Sequence, residues 1–349
     1  MSLIDGQLSS NICDVIYGTP QGSVLAPLLF LIFINDLPNC LDYGDPLLFA
    51  DDTNILISHT NCYELVRMGN QELVNIQNYL NANYLFPNTD KTKVMIFRTN
   101  NTRIPNNLPE MSLYGEKIEM VRSLKFLGVV INDKLSWKCH MQKIKSKLRS
   151  STAVFSKIKH QINEHASLNL YHTMVECHLR YGIDSWCFGN DTLKNSIQRS
   201  SDRFLKMIFK THDQAELEIK MEEKNVLSLD QLLFLEIGLT MFKIYNNTYP
   251  AALANLFTPL PQHSNSRSHN SLSSDIPRIQ LTKQALGFKG PKIWNNIADF
   301  VKYSNGDGTP TNRTYRSYKE FKTHLRTYIL SIGITESTRI INEIRDYTE

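Results

Sequence analysis

The chain has 349 residues, enough for about two domains of ordinary size, and 42% of them are hydrophobic while 21% are charged. This composition excludes an intrinsically disordered chain, and 15 glycines with 13 prolines exclude a collagen-like or low-complexity one. The net charge of +4 is too small to indicate a polyanionic partner by itself, so the charge has to be located along the chain.

Six cysteines are dispersed along the chain and form no C-x-x-C pair. Their spacing argues against a zinc ribbon and against the disulfide framework of a small secreted domain. Cys139-His140 and Cys177-His178 could each be half of a metal site, but reduced thiols beside ordinary histidines are the favoured interpretation.

The sequence carries no sign of export or of membrane insertion. Its first ten residues lack a basic segment followed by an apolar one. The most apolar run, residues 24–34, contains Pro27 and is too short to span a bilayer. We expect an intracellular protein, in the nucleus or the cytoplasm, without a membrane partner.

The first 135 residues predict a mixture of strands and helices. Two apolar runs, 47–49 and 55–57, flank Asp51-Asp52-Thr53 and predict a hairpin with the aspartates at its tip. Residues 23–37 are apolar nearly all round and predict a buried helix that ends at Pro38. The other predicted elements are a hairpin at Asp5-Gly6, a helix at 64–80, and strands at 94–97, 118–120 and 126–131.

From residue 137 onward the pattern is mainly helical. One predicted helix carries an apolar face from Ile144 to Ile158, a second covers 170–179, and a third covers 227–245. Serines are concentrated between 264 and 274, which indicates a linker, and a smaller C-terminal module ends in a helix. We predict an α+β fold whose domains are residues 1–135, 136–258 and 276–349, with 259–275 as the linker.

The adjacent carboxylates of Asp51 and Asp52 require a reason, because they repel each other. One reason is a hard divalent cation, since Mg²⁺ binds through one or two carboxylates together with substrate phosphates. Apolar strands on either side would hold the carboxylates rigidly, as two-metal phosphoryl transfer requires. The alternative is an ordinary solvated turn.

A loop from Gly18 to Ser23 leads directly into the predicted apolar helix. Its two glycines let the backbone approach a ligand closely, Pro20 stiffens the bend, and Ser23 can cap the helix. A helix N-terminus offers amide groups and a positive dipole end to a phosphate or a sugar hydroxyl. An ordinary strand-to-helix connection is the alternative.

Eight cations and no acid lie between residues 134 and 163, interleaved with Trp137 and Phe155. Such a run suits a helix that follows a phosphate backbone, and a solvated helix face is the alternative. The cations that we expect to contact nucleic acid are Lys138, Lys143, Lys145, Lys147 and Arg149. The stretch 213–230 holds six acids and two lysines, which suggests a face turned away from nucleic acid or a partner for the basic helix.

Several segments, taken in order, resemble the reverse transcriptases of non-LTR (LINE-type) retrotransposons. The first two are GTPQGSVLAPLLFLIFINDL and LLFADDTNIL. They are followed by NYLFPNTDKTKVMIF, SLKFLGVVINDKLSWKCHM, LYHTMVECHLRYGIDSW and GFKGPKIWNNI. The resemblance extends over essentially the whole chain, and the order of the motifs makes it specific.

The resemblance implies part of a right-hand polymerase palm, an antiparallel sheet with helices, followed by a mainly helical thumb-like domain. It implies RNA-directed DNA polymerisation with Mg²⁺, an RNA template, a DNA primer and deoxynucleoside triphosphates as the small-molecule substrates. Asp51 and Asp52 would be the catalytic and metal-binding residues. The other implied site residues are Gly18, Pro20, Gln21, Gly22, Phe49, Ala50, Lys91 and Lys93 for nucleotide and template, and Phe126, Leu127 and Gly128 for primer support.

One part of the family pattern has no counterpart in this sequence. Such polymerases also use an aspartate on an earlier strand that is followed by a helix, and neither Asp5 nor Asp14 fits that description. We therefore expect a truncated polymerase, without fingers, that is inactive alone. A non-catalytic nucleic-acid-binding remnant is the alternative, and the ordered motifs disfavour a plain helical interaction protein.

Overall fold

A computed structural model describes residues 18–19, 22–99, 101–248, 250, 258–259, 272–273, 286–303 and 316–346. The chain divides into two compact units, Met1–Arg122 and Ser123–Glu349. The hairpin expected at Asp5-Gly6 and most of the expected linker lie outside the described residues, as do Pro20 and Gln21.

The first unit combines two helices with short strand pairs. Its elements are α1 (Ala26–Ile34), a 3-10 turn (Leu37–Cys40), β1 (Asp45–Phe49), β2 (Asp52–Leu56), α2 (Cys62–Ala82), β3 (Lys93–Val94), β4 (Ser112–Leu113), β5 (Glu116–Lys117) and β6 (Glu119–Met120). Strands β1 and β2 pair antiparallel, as do β4 and β5, whereas β3 pairs with β6 in parallel. Among the described residues each of these sheets has two strands.

Helix α2 is the support on which the first unit is built. Asn61 caps its start, with the side-chain oxygen accepting a hydrogen bond from the Tyr63 amide at 2.8 Å. The helix buries Val66, Gly69 and Glu72 on one side. Gly69 permits close packing, because a Cβ there would lie 2.6 Å from the Met111 methyl carbon.

Helix α1 forms as predicted, but the expectation that it is buried is wrong. Its large apolar side chains are 44–65% exposed, namely Leu28, Leu29, Leu31, Ile32 and Phe33. Only its last residue, Ile34, is buried, together with Leu37 just beyond it. The apolar run determines a helix, but the described part of the first unit packs only against the C-terminal end of that helix.

The second unit opens with a hairpin and continues as helices. Its elements are β7 (Ser123–Phe126), β8 (Val129–Asn132), α3 (Lys138–Ile158), α4 (Glu164–Tyr171), a π-helical turn (His172–Glu176), α5 (Cys177–Arg180), α6 (Ile183–Trp186), α7 (Asp191–Phe209), α8 (Gln214–Glu223), α9 (Leu229–Tyr245), β9 (Thr258–Pro259), β10 (Leu272–Ser273), α10 (Leu286–Asn296), α11 (Asp299–Lys302) and α12 (Tyr318–Asp346). The last helix contains a break at Gly333, where φ is 76° and ψ is 175°.

The core of the second unit surrounds α9, whose side chains are buried on nearly every side. A capping box begins this helix: the Ser228 hydroxyl accepts from the Gln231 amide, and the Gln231 side chain accepts from the Ser228 amide. Helices α10 and α12 pack on α9, and Phe242 stacks on Phe321 with ring centroids 4.2 Å apart. The C-terminal helices therefore share one hydrophobic core with α3 to α9.

The structure confirms the α+β class, since short sheets and many helices both occur. The expected single strand at 126–131 is wrong, because positive φ angles of 42° at Leu127 and 89° at Gly128 turn the chain between β7 and β8. Helix α2 and the buried face of α3 are confirmed. Palm and thumb identities and the domain boundaries stay predictions. Within the described residues, no helix is both long and apolar enough to cross a membrane.

Candidate functional site

Asp51 and Asp52 lie at the tip of the β1–β2 hairpin, as predicted. Phe49 pairs with Asp52 across the hairpin, so Ala50 and Asp51 form a two-residue turn. Ala50 has a φ of 50°, a left-handed conformation that costs a non-glycine residue roughly 1 kcal/mol. Both aspartates are exposed. The hairpin therefore presents two adjacent carboxylates to solvent.

The two faces of this hairpin differ in their surroundings. Residues directly opposite each other share a face, so Asp52 lies on the same face as Phe49 and Leu47. Those two apolar side chains are mostly exposed. Ile55 lies on the other face, and its methyl group is directed at the backbone of Gly44. Asp52 is thus part of an open, largely apolar strand surface.

The carboxylates at the tip fit a loosely held Mg²⁺ ion. Mg²⁺ prefers oxygen ligands, keeps several waters and uses one or two protein carboxylates. Among the described residues, no group of three or more His, Cys, Asp or Glu side chains is placed to hold a metal ion. The donor set here is therefore suited to one hydrated cation, and a second metal would need further ligands.

The loop before α1 has the backbone freedom that its glycines suggested. Gly18 and Gly22 have φ angles of 86° and 84°, and within the described part of the chain no atom beyond the adjacent residues lies within 4 Å of a Cβ built at either position. The Ser23 hydroxyl accepts a hydrogen bond from the Leu25 amide at 3.3 Å, just before the first helical turn. Contact of this loop with nucleotide or template stays a prediction.

Lys91 and Lys93 lie near the start of the β3–β6 pair. Lys93 forms an ion pair with Glu119, its partner across the strands, with Nζ 2.7 Å from Oε2. Lys91 is exposed, and its amide donates to the Asn88 side chain at 3.0 Å. An approach of either lysine to a triphosphate stays a prediction.

The Phe126-Leu127-Gly128 segment belongs to the second unit, where it forms the β7–β8 turn. The Tyr181 hydroxyl donates a hydrogen bond to the Leu127 carbonyl oxygen. A Cβ at Gly128 would lie 3.0 Å from the Tyr181 ring, so glycine is required by both the positive φ and the neighbouring ring. Sequence reasoning missed Tyr181, whose partner is 54 positions away in the chain.

His140 ties the same hairpin to α3. Its Nδ1 accepts a hydrogen bond from the Val130 amide at 3.2 Å, and the side chain is only 5% exposed. Burial, assisted by the charges of Lys143 and Lys147, lowers the pKa of His140 to about 4. The imidazole is therefore neutral at pH 7, and its Nδ1 acts as an acceptor that joins β8 to α3.

Helix α3 separates charge from apolar surface. Its buried side carries the predicted face and is made of Met141, Ile144, Leu148, Ser151 and Phe155. The exposed cations are Lys138, Lys143, Lys147, Arg149 and Lys157, while Lys145 is half-buried. The acidic helix α8 packs on α7 and α12. The second unit thus presents a helix face with several cations and no acid of its own.

Comparison with known proteins shows which family this chain resembles. Residues 4–131 match the family model described as reverse transcriptase (RNA-dependent DNA polymerase). The RNA-directed DNA polymerase from mobile element jockey of Drosophila melanogaster is 25% identical over 218 residues. Over these residues the chain is similar to the reverse transcriptases of non-LTR retrotransposons.

Two further relatives support the similarity to reverse transcriptases. The probable RNA-directed DNA polymerases from transposon BS and transposon X-element, both of Drosophila melanogaster, are 28% and 25% identical over 205 residues each. The three matches cover 59%, 55% and 56% of this chain but only 23%, 22% and 22% of the relatives, so the chain spans less than a quarter of their length. No solved structure matches the chain significantly.

Proposed function

We propose that this chain is a segment of an RNA-directed DNA polymerase that acts inside the cell on an RNA template and a DNA primer. The observation that carries the proposal is the exposed Asp51-Asp52 pair at a hairpin tip, inside the part of the chain that matches the reverse transcriptase family. The chemistry is transfer of a deoxynucleotidyl group from its triphosphate to a primer 3′ hydroxyl.

Each site residue has a role in this proposal. Asp51 and Asp52 would hold Mg²⁺, which when bound would neutralise charge on the triphosphate and activate the attacking oxygen. The segment from Gly18 to Gly22 lines the nucleotide and template side, together with Phe49 and Ala50. Lys91 or Lys93 faces the triphosphate, and the turn at 126–128 supports the primer.

These roles assign each part of the chain to a domain. Residues 1–135 form part of the palm, 136–258 form the thumb-like domain, and 259–275 link it to a small helical module at 276–349. The exposed cations of α3 favour this arrangement, because a thumb-like helix has to run beside a phosphate backbone.

The 349-residue polypeptide assayed alone does not extend a primer. In-line phosphoryl transfer needs both metals held, and the described residues bring no third carboxylate to Asp51 and Asp52. Each 1.36 kcal/mol of lost transition-state stabilisation slows the reaction about tenfold, and loss of a metal site removes several kcal/mol. Similarity to reverse transcriptases predicts that the reaction is nucleotidyl transfer. The lack of a third carboxylate beside Asp51 and Asp52 among the described residues predicts that this chain alone does not catalyse it.

Incorporation of labelled deoxynucleotide on a primed RNA template, with Mg²⁺ or Mn²⁺, tests this prediction. The expected result is the same background signal from the unmutated chain and from the Asp51→Ala, Asp52→Ala control. Incorporation by the unmutated chain that disappears in the control would contradict the prediction, because the site would then have its full set of ligands.

A second candidate function is binding of nucleic acid without catalysis. The α3 cations favour it independently of the aspartates, since they lie on a helix face that contains no acid. The two candidates differ in one respect: a polymerase segment binds metal at Asp51 and Asp52, whereas a binding remnant needs only the cationic face.

A further inference from the structure

The buried side chain of Glu72, on α2, makes hydrogen bonds to a backbone segment about 30 positions earlier in the chain. Its side chain is buried, with the residue only 1% exposed. Oε1 accepts hydrogen bonds from the backbone amides of three consecutive residues: Asp42 at 3.0 Å, Tyr43, and Gly44 at 2.9 Å. Oε2 accepts from the Asn75 side chain at 3.3 Å. The Glu72 carboxylate therefore fixes the backbone of residues 42–44.

Three amide groups that converge on one anion make a rigid attachment. Successive N–H groups aimed at one point form a concave anion site, here filled by a side chain of the same unit. Asn75 strengthens the arrangement, because its side-chain amide also donates to the Asp42 carboxylate at 3.0 Å. The loop at 42–44 is thus held against α2 by charge-assisted hydrogen bonds.

This loop leads directly into the strand that ends at the catalytic tip. β1 begins at Asp45, immediately after Gly44, and reaches the turn after Phe49. Among the described residues β1 pairs only with β2. The hydrogen bonds at residues 42–44 therefore attach the base of the hairpin to α2.

Gly44 makes the close attachment possible. A Cβ at this position would lie 2.3 Å from the Ile55 Cγ2 atom and 3.7 Å from Glu72 Oε1. Ile55 of β2 and Glu72 of α2 thus both lie close to the same glycine. β1, which begins just after Gly44, and β2, which contains Ile55, are therefore both held close to this glycine.

We propose that Glu72 is a positioning residue, which fixes the Asp51-Asp52 hairpin on α2 through the backbone of residues 42–44. Its importance for catalysis rests on the proposed metal role of the two aspartates. Glu72 acts through the loop and the strand and touches neither metal nor substrate.

The test measures amide hydrogen exchange and Mn²⁺-induced line broadening by NMR on the full chain. The variants are Glu72→Ala, which removes the acceptor, and Glu72→Gln, which keeps the shape but loses the charge. Glu64→Gln is the matched control, since Glu64 lies on the same helix but is paired with Arg67 in an exposed contact at 2.8 Å.

Glu72→Ala is expected to speed exchange of the amides of residues 42–44 and of the β1–β2 hairpin by about tenfold or more, because charge-assisted bonds are lost. Broadening at the amides of Asp51 and Asp52 should need several-fold more Mn²⁺. Glu72→Gln should shift both readouts in the same direction by less, and Glu64→Gln should leave both unchanged. Hairpin exchange and Mn²⁺ response that stay unchanged in both Glu72 variants would overturn the proposal.

Failure of the metal role would be seen separately. If Mn²⁺ broadens no tip amide in the unmutated chain, the proposed function fails, and hydrogen exchange in the hairpin still decides whether Glu72 holds it. If Glu72→Ala unfolds the first unit, shown by loss of the α2 signals, the proposal is tested with Glu72→Gln alone. Faster exchange at the tip in that variant supports the proposal, and exchange like that of the unmutated chain overturns it.

Discussion

His140 illustrates how a single buried side chain connects two elements of the second unit. Its Nδ1 accepts from the Val130 amide in β8, while its own backbone belongs to α3. The ring also lies edge-on to Trp186, with ring centroids 6.0 Å apart. Protonation would turn the acceptor nitrogen into a donor, so this contact exists only with the neutral imidazole.

Stability of the second unit should therefore fall as the pH is lowered. The pKa of His140 is about 4 in the folded chain, against an ordinary value of 6.5. Between these values the unfolded chain binds a proton that the folded chain does not, so the free energy of unfolding decreases as pH falls. The expected loss from this group between pH 7 and pH 5 is about 2 kcal/mol.

Replacing the histidine isolates this contribution from that of other groups. His140→Asn keeps an acceptor near the Nδ1 position but does not titrate, so about 2 kcal/mol of the pH dependence should disappear. Denaturant unfolding followed by tryptophan fluorescence measures it, because all three tryptophans (Trp137, Trp186 and Trp294) belong to the second unit. His165→Asn, at an exposed position, is the control. An identical pH dependence in His140→Asn and the unmutated chain would contradict the prediction.

At the residue scale, the sequence revealed side chains whose position follows from their immediate neighbours. Asp51 and Asp52 could be placed at a hairpin tip because apolar runs flank them. Tyr181, His140 and Glu72 could not be found in this way, because each of them binds backbone groups of a distant segment. No local pattern records which amide or carbonyl a buried polar side chain will meet.

At the scale of elements, α1 shows that an apolar composition does not by itself predict burial. An apolar run predicts a helix and suggests burial, yet burial depends on what packs against the helix, and its large side chains are about half exposed. The 126–131 segment shows a second limit. Its apolar residues suit one strand, whereas the positive φ angles of Leu127 and Gly128 divide it in two.

We expect the cations of helix α3 to bind nucleic acid. Replacing Lys143, Lys145, Lys147 and Arg149 by glutamine should weaken nucleic-acid binding and flatten its salt dependence, with little change between sequences. Each lost phosphate contact reduces the log–log salt slope on duplex DNA by roughly 0.9, so four contacts reduce it by up to about 3.6. Binding titrations from low to moderate salt measure the slope.

A control with the same change of charge separates a local contact from the effect of net charge. Arg122, Lys210, Lys319 and Lys322 are exposed and lie outside α3. Their replacement by glutamine should leave the slope nearly unchanged. Equal slopes for the α3 variant and the unmutated chain would mean that the cations of α3 are merely solvated.

At the scale of the whole molecule, the helical periodicity predicted helices but not their partners. The C-terminal helices α10 and α12 pack on α9, and the break at Gly333 lies within the last of them. Apolar stripes show which face of a helix is buried, whereas the choice of neighbour depends on complementary shapes that are distant in the chain. The predicted boundaries at 135, 258 and 275 therefore stay predictions.

We propose that the Asp51-Asp52 hairpin is the metal-binding end of a polymerase site. Mn²⁺ titration of the full chain, followed by NMR line broadening, tests it most directly. The compared variants are Asp51→Asn and Asp52→Asn, with Asp45→Asn as the control at the opposite end of the same hairpin. Asp45 lies four residues before the Phe49–Asp52 pair, roughly 13 Å along the strand at about 3.3 Å per residue. We predict broadening centred on residues 50–53 that is lost in either tip variant and kept in the control. Broadening centred elsewhere, or broadening at the tip that survives both tip substitutions, would contradict the claim.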